Sequence, residues 1–272
     1  MEIQEFALNR SNDVVHISEV QRGKDCDCHC AFCKEILVAK KGNKKRHHFS
    51  HYNKKVSCKY GRETGLHLAA KRIISQEKIL WLPPSEISGE NTIKVDRGGT
   101  VKVISVELEN RVQNIIPDVV VTIGGKRIII EIFVTHPIDE EKKSKIEQMR
   151  LSCIEIDLSS YKDETIEFEM LKRLLLRENG LSRWINDEWA KKVQSCLEYY
   201  TDELTVDGQG YVYPVFCINS GQFGISIEYW RCLLCPHCFK ADIQDDFVNH
   251  IFCLSKVGPF KYDKINKKMG LD

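Results

Sequence analysis

Two carboxylates in apolar surroundings are the residues of this chain best suited to chemistry. Asp118 and Glu131 each belong to a run of β-branched and aliphatic residues, and Gly124 and Gly125 separate the two runs. Adjacent glycines are typical of a tight hairpin turn, and counting outward from that turn places Asp118 directly opposite Glu131. Their Cβ atoms would then lie about 5 Å apart. Like charges at that distance repel, so the pattern predicts a shared proton or, in preference, a divalent cation, Mg²⁺ or Mn²⁺, bound between them.

Three further polar residues precede this hairpin with helical spacing. Glu63, His67 and Lys71 recur every four residues in the stretch 61–74, and leucine, alanine and isoleucine supply its apolar side. On a helix the three side chains form one stripe, which can face a metal and phosphate centre. The alternative is a solvated row of i,i+4 pairs.

The neighbouring segments predict the elements that must position these side chains. After the helix at 61–74, we expect a strand over 101–108, the hairpin, a charged helix that ends near Ile146 and a strand over 153–158. This order is typical of an α/β core with a mixed sheet. Helices over 164–177 and 181–200 are predicted next, followed by short aromatic strands.

Five cysteines cluster near the N-terminus and predict a structural zinc ion. Its expected ligands are Cys30, Cys33, His51 and Cys58. A hairpin with a tight turn at Gly42 and Asn43 would bring the histidine back to the Cys-x-x-Cys pair. His48 is an alternative to the chosen histidine, and Cys26 and Cys28 are extra or competing ligands. The metal would supply the folding energy of a module too small to bury much apolar surface.

A second zinc signature lies near the C-terminus. Its expected ligands are Cys235, Cys238, His250 and Cys253. Eleven residues separate the first pair from the second, which suits a knuckle followed by a helical turn in a finger with three cysteines and one histidine. Cys232 could take the place of the first ligand by a shift of three residues.

Length and composition favour one medium domain with smaller appendages. The chain has 272 residues, among them twelve cysteines, and lacks a long apolar run. Because no long apolar run is present, we expect a soluble protein without a membrane partner. We also expect it to be cytoplasmic, because a reducing compartment leaves the cysteines free to bind metal and does not oxidise them to disulfides. The expected divisions are a zinc ribbon at 1–60, the α/β core at 61–178, a helical linker at 179–208 and a zinc finger at 209–272.

The net charge is only +1, yet basic residues are concentrated in one segment. Between Lys34 and Arg62 there are ten lysines or arginines and one acid, Glu35. Such a patch can contact a phosphate backbone, so DNA is the expected partner. The residues expected to contact it are Lys44, Lys45, Arg46, Lys54 and Lys55.

The carboxylate motif resembles a known group of nucleases. Pro117 and Asp118, then the hairpin, then Glu131 resemble the PD-(D/E)XK nuclease superfamily and, more narrowly, the competence protein CoiA-like family. The resemblance implies a restriction-endonuclease-like mixed sheet flanked by helices, with both acids binding the catalytic metal and His67 joining the site. It also implies cleavage of DNA in a bacterial DNA-processing, recombination or defence setting, with a possible protein partner from that setting.

One residue departs from the family pattern. Phe133 stands where those nucleases carry a lysine that helps to position the attacking water. Lys142, Lys143 or His136 could replace that cation, with Lys142 preferred. If none does, the alternative is an adaptor that binds DNA without cleaving it. A zinc-bridged scaffold for protein interactions is a third hypothesis.

Overall fold

A computed structural model describes residues 4–53, 56, 58–87, 92–162, 164, 166–177, 180–214, 216–217, 220–235, 238–244 and 247–253. The chain divides into two compact units. The first contains Met1–Pro83 and Gly98–Asn186, and the second contains Pro84–Arg97 and Asp187–Asp272. The expected zinc ribbon and the expected α/β core therefore share one unit, and the segment at 84–97 belongs with the C-terminal part of the chain.

The chain is mixed α/β and consists mostly of strands. The strands are β1 Phe6–Leu8, β2 Val14–His16, β3 Gly23–His29, β4 Ile36–Lys40, β5 His48–His51, β6 Ile79–Leu82, β7 Ser85–Ile87, β8 Ile93–Asp96, β9 Gly99–Lys102, β10 Ser105–Leu108, β11 Val119–Ile123, β12 Lys126–Phe133, β13 Ser152–Asp157, β14 Ser182–Asn186, β15 Asp202–Thr205, β16 Tyr211–Val212, β17 Phe216–Cys217, β18 Gln222–Phe223, β19 Ile227–Glu228, β20 Cys238–Gln244 and β21 Phe247–Cys253. The α-helices are α1 Gly61–Glu77, α2 Glu140–Gln148, α3 Phe168–Leu176, α4 Glu188–Tyr200 and α5 Tyr229–Leu233.

The central sheet of the first unit has the order β10-β11-β12-β13-β14. Strands β10, β11 and β12 run antiparallel, β13 is parallel to β12, and α2 makes the connection between these two. The predicted tight turn at Gly124 and Gly125 is confirmed, since both have positive φ and Ile123 pairs with Lys126. The same register pairs Val119 with Ile130, so Asp118 is the next position outward and lies opposite Glu131.

Helices cover both faces of this sheet. On one face α1 and α3 bury apolar residues against strands β11 to β13, with Leu66, Ile73 and Ile130 at the centre. On the other face Ile146 of α2 packs against Ile129 and its neighbours. Residues that alternate along β12 therefore enter two different cores, which fixes the register because a slip of one residue would exchange them.

A second sheet of the first unit has the order β2-β1-β3-β4-β5. Its β4–β5 hairpin differs from the prediction of a two-residue turn. The structure has a longer loop over 41–47 and pairs Leu37 with His51. The reason is that Lys41 leaves the strand, and its Nζ donates to the carbonyl oxygens of Ser18 and Val20 at 3.3 and 2.6 Å.

Two predicted elements are wrong in part. The strand expected over 101–108 is broken after Lys102, because β9 pairs with β6 whereas β10 pairs with β11. The helix expected over 181–200 begins as β14, an edge strand that pairs with β13. Asp187 then starts α4, since its carboxylate accepts from the backbone N–H groups of Trp189 and Ala190.

The second unit contains a three-stranded sheet of order β15-β21-β20 and small two-stranded ribbons. Helix α4 packs on the β7–β8 ribbon through Val193 and Leu197. The segment expected to form a helical turn around His250 and Cys253 is instead β21. Among the described helices, none has the length and apolar character needed to span a membrane.

A buried ion pair in the first unit predicts a pH dependence of stability. Glu5 and Arg62 lie 3.6 Å apart, and both side chains are buried. Burial raises the pKa of Glu5 to about 7, although the charge of Arg62 opposes the shift. The folded state therefore holds this proton more tightly than the unfolded chain does, so stability falls as pH rises from about 4.5 to 7.

Replacing Glu5 with glutamine removes this titration and keeps an oxygen atom near Arg62. We expect the free energy of unfolding of the wild type to fall between pH 5 and 7.5 by on the order of 3 kcal/mol more than that of Glu5→Gln. Urea unfolding at several pH values measures the difference. Glu147→Gln, at an exposed position, is the control. Parallel curves for wild type and Glu5→Gln would contradict the assignment.

Candidate functional site

Asp118 immediately precedes β11, and groups on β12 and on α1 contact its carboxylate. Its Oδ2 accepts from the backbone N–H of Ile132 on β12 at 2.9 Å and lies 2.9 Å from Nε2 of His67. Its Oδ1 lies 3.0 Å from Nζ of Lys71. Both basic residues lie on α1 and belong to the stripe that the sequence predicts. Helix α1 therefore fixes the orientation of this carboxylate.

Glu131 on β12 is 7 % exposed. One of its carboxylate oxygens contacts a lysine, and the other has no partner in the described part of the chain. Its Oε2 lies 2.7 Å from Nζ of Lys142. Its Oε1 is buried and has no hydrogen-bond partner among the described residues. An unpaired carboxylate oxygen in this setting costs free energy, which a bound ligand would recover.

Lys142 contacts Glu131 because a capping residue fixes where α2 begins. Asp139 is the N-cap of α2, and its carboxylate accepts from the backbone N–H of Lys142 at 2.7 Å. Of the three cations considered as replacements for the motif lysine, the structure brings Lys142 to the carboxylate. Lys143 pairs instead with Glu140 at 3.6 Å.

The pKa values of the two carboxylates are shifted in opposite directions. Burial opposes ionisation of Asp118, but the hydrogen bond and charge of His67, the Ile132 N–H and the charge of Lys71 outweigh it and lower the pKa. Burial raises the pKa of Glu131 to about 7, opposed by Lys142 and supported by the negative charge of Asp118. The site therefore combines an acid with a lowered pKa, contacted from α1, and an acid with a raised pKa, contacted from α2. Perturbed pKa values of this kind are common in functional sites.

The structure corrects one premise of the sequence analysis. We expected a shared proton or a cation to be needed to relieve the repulsion between Asp118 and Glu131, but Lys71 and Lys142 each supply a counter-charge. Among the described residues, the ligand atoms of Asp118, Glu131 and His67 do not form a group within 4.8 Å of one another. A cation held by both acids would therefore displace at least one ion pair.

Glu63 is the member of the predicted stripe that does not contact the two carboxylates. It lies in the first turn of α1 and, within the described residues, forms no hydrogen bond or ion pair with either of them. Lys71 is 5 % exposed and also contacts Glu109 Oε1 at 2.9 Å. Lys71 could be predicted from its position one helical turn after His67. No motif in the sequence points to Glu109.

Sequence analysis also missed Glu155, a fully buried acid on β13. It is the register partner of Glu131 across the parallel pair, so both point to the same face. Its Oε2 accepts from Nε and Nη2 of Arg183 at 2.9 and 2.6 Å, and its Oε1 accepts from the N–H of Ile138 at 2.7 Å. The last contact holds the connection that leads into α2, and hence supports the position of Lys142.

The four N-terminal ligands predicted from the sequence lie together. The Sγ atoms of Cys30, Cys33 and Cys58 and a ring nitrogen of His51 are all within 4.8 Å of one another. Cys30 and Cys58 sulfurs are 3.7 Å apart, and Cys33 Sγ lies 3.2 Å from His51 Nε2. A tetrahedral ion with Zn–S bonds of about 2.3 Å separates its sulfur ligands by about 3.7 Å. The group can therefore hold zinc with little rearrangement.

The alternative ligands of this centre are occupied elsewhere. His48 Nδ1 lies 2.8 Å from the carbonyl oxygen of Arg46. The thiol of Cys28 donates to the carbonyl of Cys26 at 3.0 Å and is buried in the core of the second sheet. The register that pairs Leu37 with His51 explains the choice, because it carries His51 to the end of β4 where the Cys30–Cys33 knuckle lies.

The C-terminal ligand set is brought together only in part, because Cys238 is the register partner of Cys253 but His250 is not on their side of the sheet. His250 and Cys253 are three positions apart on strand β21, so their side chains leave opposite faces of the sheet. His250 Nδ1 lies 3.3 Å from a carboxylate oxygen of Glu203 on β15. The helical turn that would have put both on one side does not form.

The basic residues predicted to contact DNA line a cavity of about 830 Å³. Lys44, Lys45 and Arg46 share it with Arg22 and Lys24, which come from the preceding loop and β3, and the part of the lining that the structure describes contains no acid. Lys24 Nζ lies 3.2 Å from the ring centre of Tyr52, another lining residue. Lys54 and Lys55 lie outside the described residues. A phosphate backbone suits such a cavity.

Comparison of the chain with family models, curated proteins and solved structures gives no match. Its function must therefore be inferred from its own site. That site consists of two carboxylates on adjacent strands, an imidazole and two lysines from flanking helices, with a Cys₃His group and a basic cavity in the same unit.

A close contact beside the zinc ligands gives a test of that centre. A Cβ on Gly61 would lie 2.9 Å from Cys30 Sγ and closer still to the Gln4 side chain, whereas a Cβ on Gly42 would meet nothing within 4 Å. We expect Gly61→Ala to lose zinc faster to a chromogenic chelator than wild type and to unfold with about 1–3 kcal/mol less stability. Gly42→Ala is the matched control. Equal zinc release by wild type and both variants would contradict the placement of Cys30 in the centre.

Proposed function

We propose that this protein is a metal-dependent nuclease that hydrolyses phosphodiester bonds in DNA. The observation that carries the proposal is the state of Glu131, whose Oε1 is buried without a partner while Lys142 holds Oε2. Asp118 lies opposite on the adjacent strand and is already ionised by its neighbours. Two carboxylates with one unsatisfied oxygen are suitable ligands for Mg²⁺ or Mn²⁺, which commonly bind one or two protein carboxylates.

The residues present fit such an ion. Asp118 and Glu131 would hold it, and it would supply an acidified water and neutralise charge on the phosphate. Lys71 and His67 keep Asp118 oriented and ionised through contacts at 3.0 and 2.9 Å. Lys142 lies at the second carboxylate in the role that the family motif gives to a lysine two residues after the acid. The supply of this ammonium from α2 explains how a chain with Phe133 can retain the chemistry.

The substrate follows from charge and resemblance together. The basic cavity offers lysines and arginines to a phosphate backbone, and Tyr52 offers an aromatic face. The order helix, three antiparallel strands, helix and parallel strand supports the restriction-endonuclease-like core that the resemblance implies. We place the activity in bacterial DNA processing, recombination or defence, where a protein partner from the same pathway would bring the substrate.

A second candidate function is supported by the ion pairs themselves. Lys71 and Lys142 already balance Asp118 and Glu131, so the site is stable without a bound cation. A DNA-binding adaptor with the same fold would show this arrangement and would have no need of cleavage. Binding of DNA without cleavage in Mg²⁺ or Mn²⁺ is the result that favours the adaptor.

Two lysines that are adjacent on α2 provide the sharpest test of the site. Lys142 contacts Glu131, whereas Lys143 pairs with exposed Glu140. With linear and single-stranded DNA in Mn²⁺, we expect Lys142→Ala and Glu131→Gln to lower the cleavage rate at least about 100-fold. We expect Lys143→Ala to cleave like wild type, and DNA affinity to change little in all three. Cleavage that survives Glu131→Gln would reject this site, even if the protein is a nuclease.

The basic cavity predicts a salt-dependent affinity that is separate from cleavage. Replacing Lys44, Lys45 and Arg46 with alanine should weaken DNA binding and lower the slope of log affinity against log salt by up to about three, since each phosphate contact contributes close to one. The control replaces Lys102, Lys126 and Lys162, which are exposed and remove the same charge. Fluorescence anisotropy at several salt concentrations measures both. Equal slopes for the two triple variants would contradict a role for the cavity.

A further inference from the structure

Three aromatic residues beside the N-terminal Cys₃His group are exposed to solvent. Phe32 directly precedes Cys33, and Tyr52 directly follows His51. Tyr60 is the N-cap residue of α1. The exposed fractions of the three aromatic residues are 51, 54 and 52 %. Large apolar side chains grouped at a protein surface commonly mark a site of interaction, because leaving them in water costs free energy that a ligand recovers.

Two of these rings form an aromatic pair. The ring centres of Phe32 and Tyr60 are 5.2 Å apart, and their planes are inclined at 57°. This tilted arrangement is favourable for two aromatic rings, so each ring helps to hold the other in place. Both rings stay about half exposed despite their contact. A planar ligand can therefore stack on a pair of rings whose orientation is already fixed.

The third ring connects the aromatic pair with the basic cavity. Tyr52 and His51 both line that cavity. Lys24 Nζ lies over the ring of Tyr52, which places a positive charge directly beside an exposed aromatic face. His51 Nε2 lies 3.2 Å from the Sγ atom of Cys33, the chain neighbour of Phe32. The surface therefore continues from the basic cavity across two metal ligands to the aromatic pair.

This combination of charge and rings suits an unpaired strand of nucleic acid. Each nucleotide of such a strand has a phosphate for a basic group and a base whose flat face is available to an aromatic side chain. In a duplex the bases stack on one another and present only their edges in the grooves. Lysine and arginine bind the phosphates of both forms, so the exposed rings are the groups that distinguish them.

We propose that this surface binds a single-stranded segment of the DNA substrate. Bases stack on Phe32, Tyr60 and Tyr52, and the phosphates between them contact the lysines and arginines of the basic cavity. The inference deepens the proposed function and rests on it for the choice of DNA. It assigns to the nuclease a substrate with an unpaired region, such as an overhang or a gap.

The metal centre gains a second role from this arrangement. Cys33 and His51 belong to the group that can hold zinc, and each is the chain neighbour of an exposed ring. A bound ion would fix both backbone segments and so keep Phe32 and Tyr52 in position before the strand binds. Rings that are already ordered lose less conformational entropy on binding, which favours affinity.

Affinity for oligothymidine, which does not pair with itself, tests the inference. Fluorescence anisotropy without added Mg²⁺ or Mn²⁺ compares this strand with a blunt duplex. We expect Phe32→Ala and Tyr60→Ala each to weaken oligothymidine binding at least about fivefold, the loss typical of one stacked base. Duplex affinity and the salt slope should not change, because the rings carry no charge. Phe32→Trp should keep the affinity, and oligothymidine should quench its fluorescence. Phe223→Ala, at an exposed ring of the second unit, is the matched control.

Oligothymidine affinity that is equal in wild type, Phe32→Ala and Tyr60→Ala would overturn the inference, as would an equal loss of duplex affinity. Tighter binding of oligouridine would overturn the choice of DNA. Zinc content shows whether each variant is intact. If Phe32→Ala loses zinc, Tyr60→Ala decides, since the Tyr60 side chain makes no capping hydrogen bond. Binding through the rings without any cleavage in Mn²⁺ would contradict the nuclease proposal alone, and cleavage with binding that ignores the rings would contradict this inference alone.

Discussion

The structure of the site depends on keeping two acids on adjacent strands within a mostly apolar sheet. The glycine turn fixes the register, and the register places Asp118 opposite Glu131. Burial there is costly for ionised carboxylates. The protein meets that cost with ammonium groups from helices on each side, Lys71 from α1 and Lys142 from α2, at 3.0 and 2.7 Å. The flanking helices therefore both cover the sheet and stabilise its charged residues.

This constraint explains several features around the site. Lys142 lies in the first turn of α2 and must be opposite Glu131. Asp139 caps that helix, and Glu155 accepts from the backbone N–H of Ile138, so both fix where the helix begins. Arg183 on the edge strand β14 balances Glu155 in turn, with two contacts to one of its oxygens. Each buried acid thus has its own cation. The Oε1 atom of Glu131 has no hydrogen-bond partner among the described residues, and under the proposed function the metal would bind there.

Sequence reasoning was most successful where spacing alone decides geometry. The Gly124–Gly125 turn set the pairing of β11 with β12, and the four-residue period from His67 to Lys71 put both side chains on one side of α1. The spacing of Cys30, Cys33, His51 and Cys58 also predicts the N-terminal ligand group correctly, although the loop after Lys40 gives the β4–β5 hairpin a register that differs from the predicted one. That shift depends on Lys41 reaching carbonyls in a distant turn, a contact between distant segments that local patterns do not reveal.

Other features needed the tertiary structure. Pairing of β14 with β13 overrode a helical pattern near Leu181, and the parallel register of β12 and β13 revealed Glu155 beside Glu131. At the C-terminus, a strand replaced an expected helical turn and so separated His250 from Cys253. In each case a hydrogen-bonded neighbour strand decided the conformation, and such pairing is weakly encoded in local sequence.

The most direct test of the account is Mn²⁺ binding to the zinc-loaded full-length protein, followed by electron paramagnetic resonance. The account predicts about one Mn²⁺ per chain in the wild type, its loss in Glu131→Gln, and tighter binding in Lys142→Ala, where the competing ammonium is gone. Glu140→Gln, at an exposed carboxylate, should bind like the wild type. Equal Mn²⁺ binding by wild type and Glu131→Gln, or no binding by either, would contradict the claim that the paired carboxylates form a metal site.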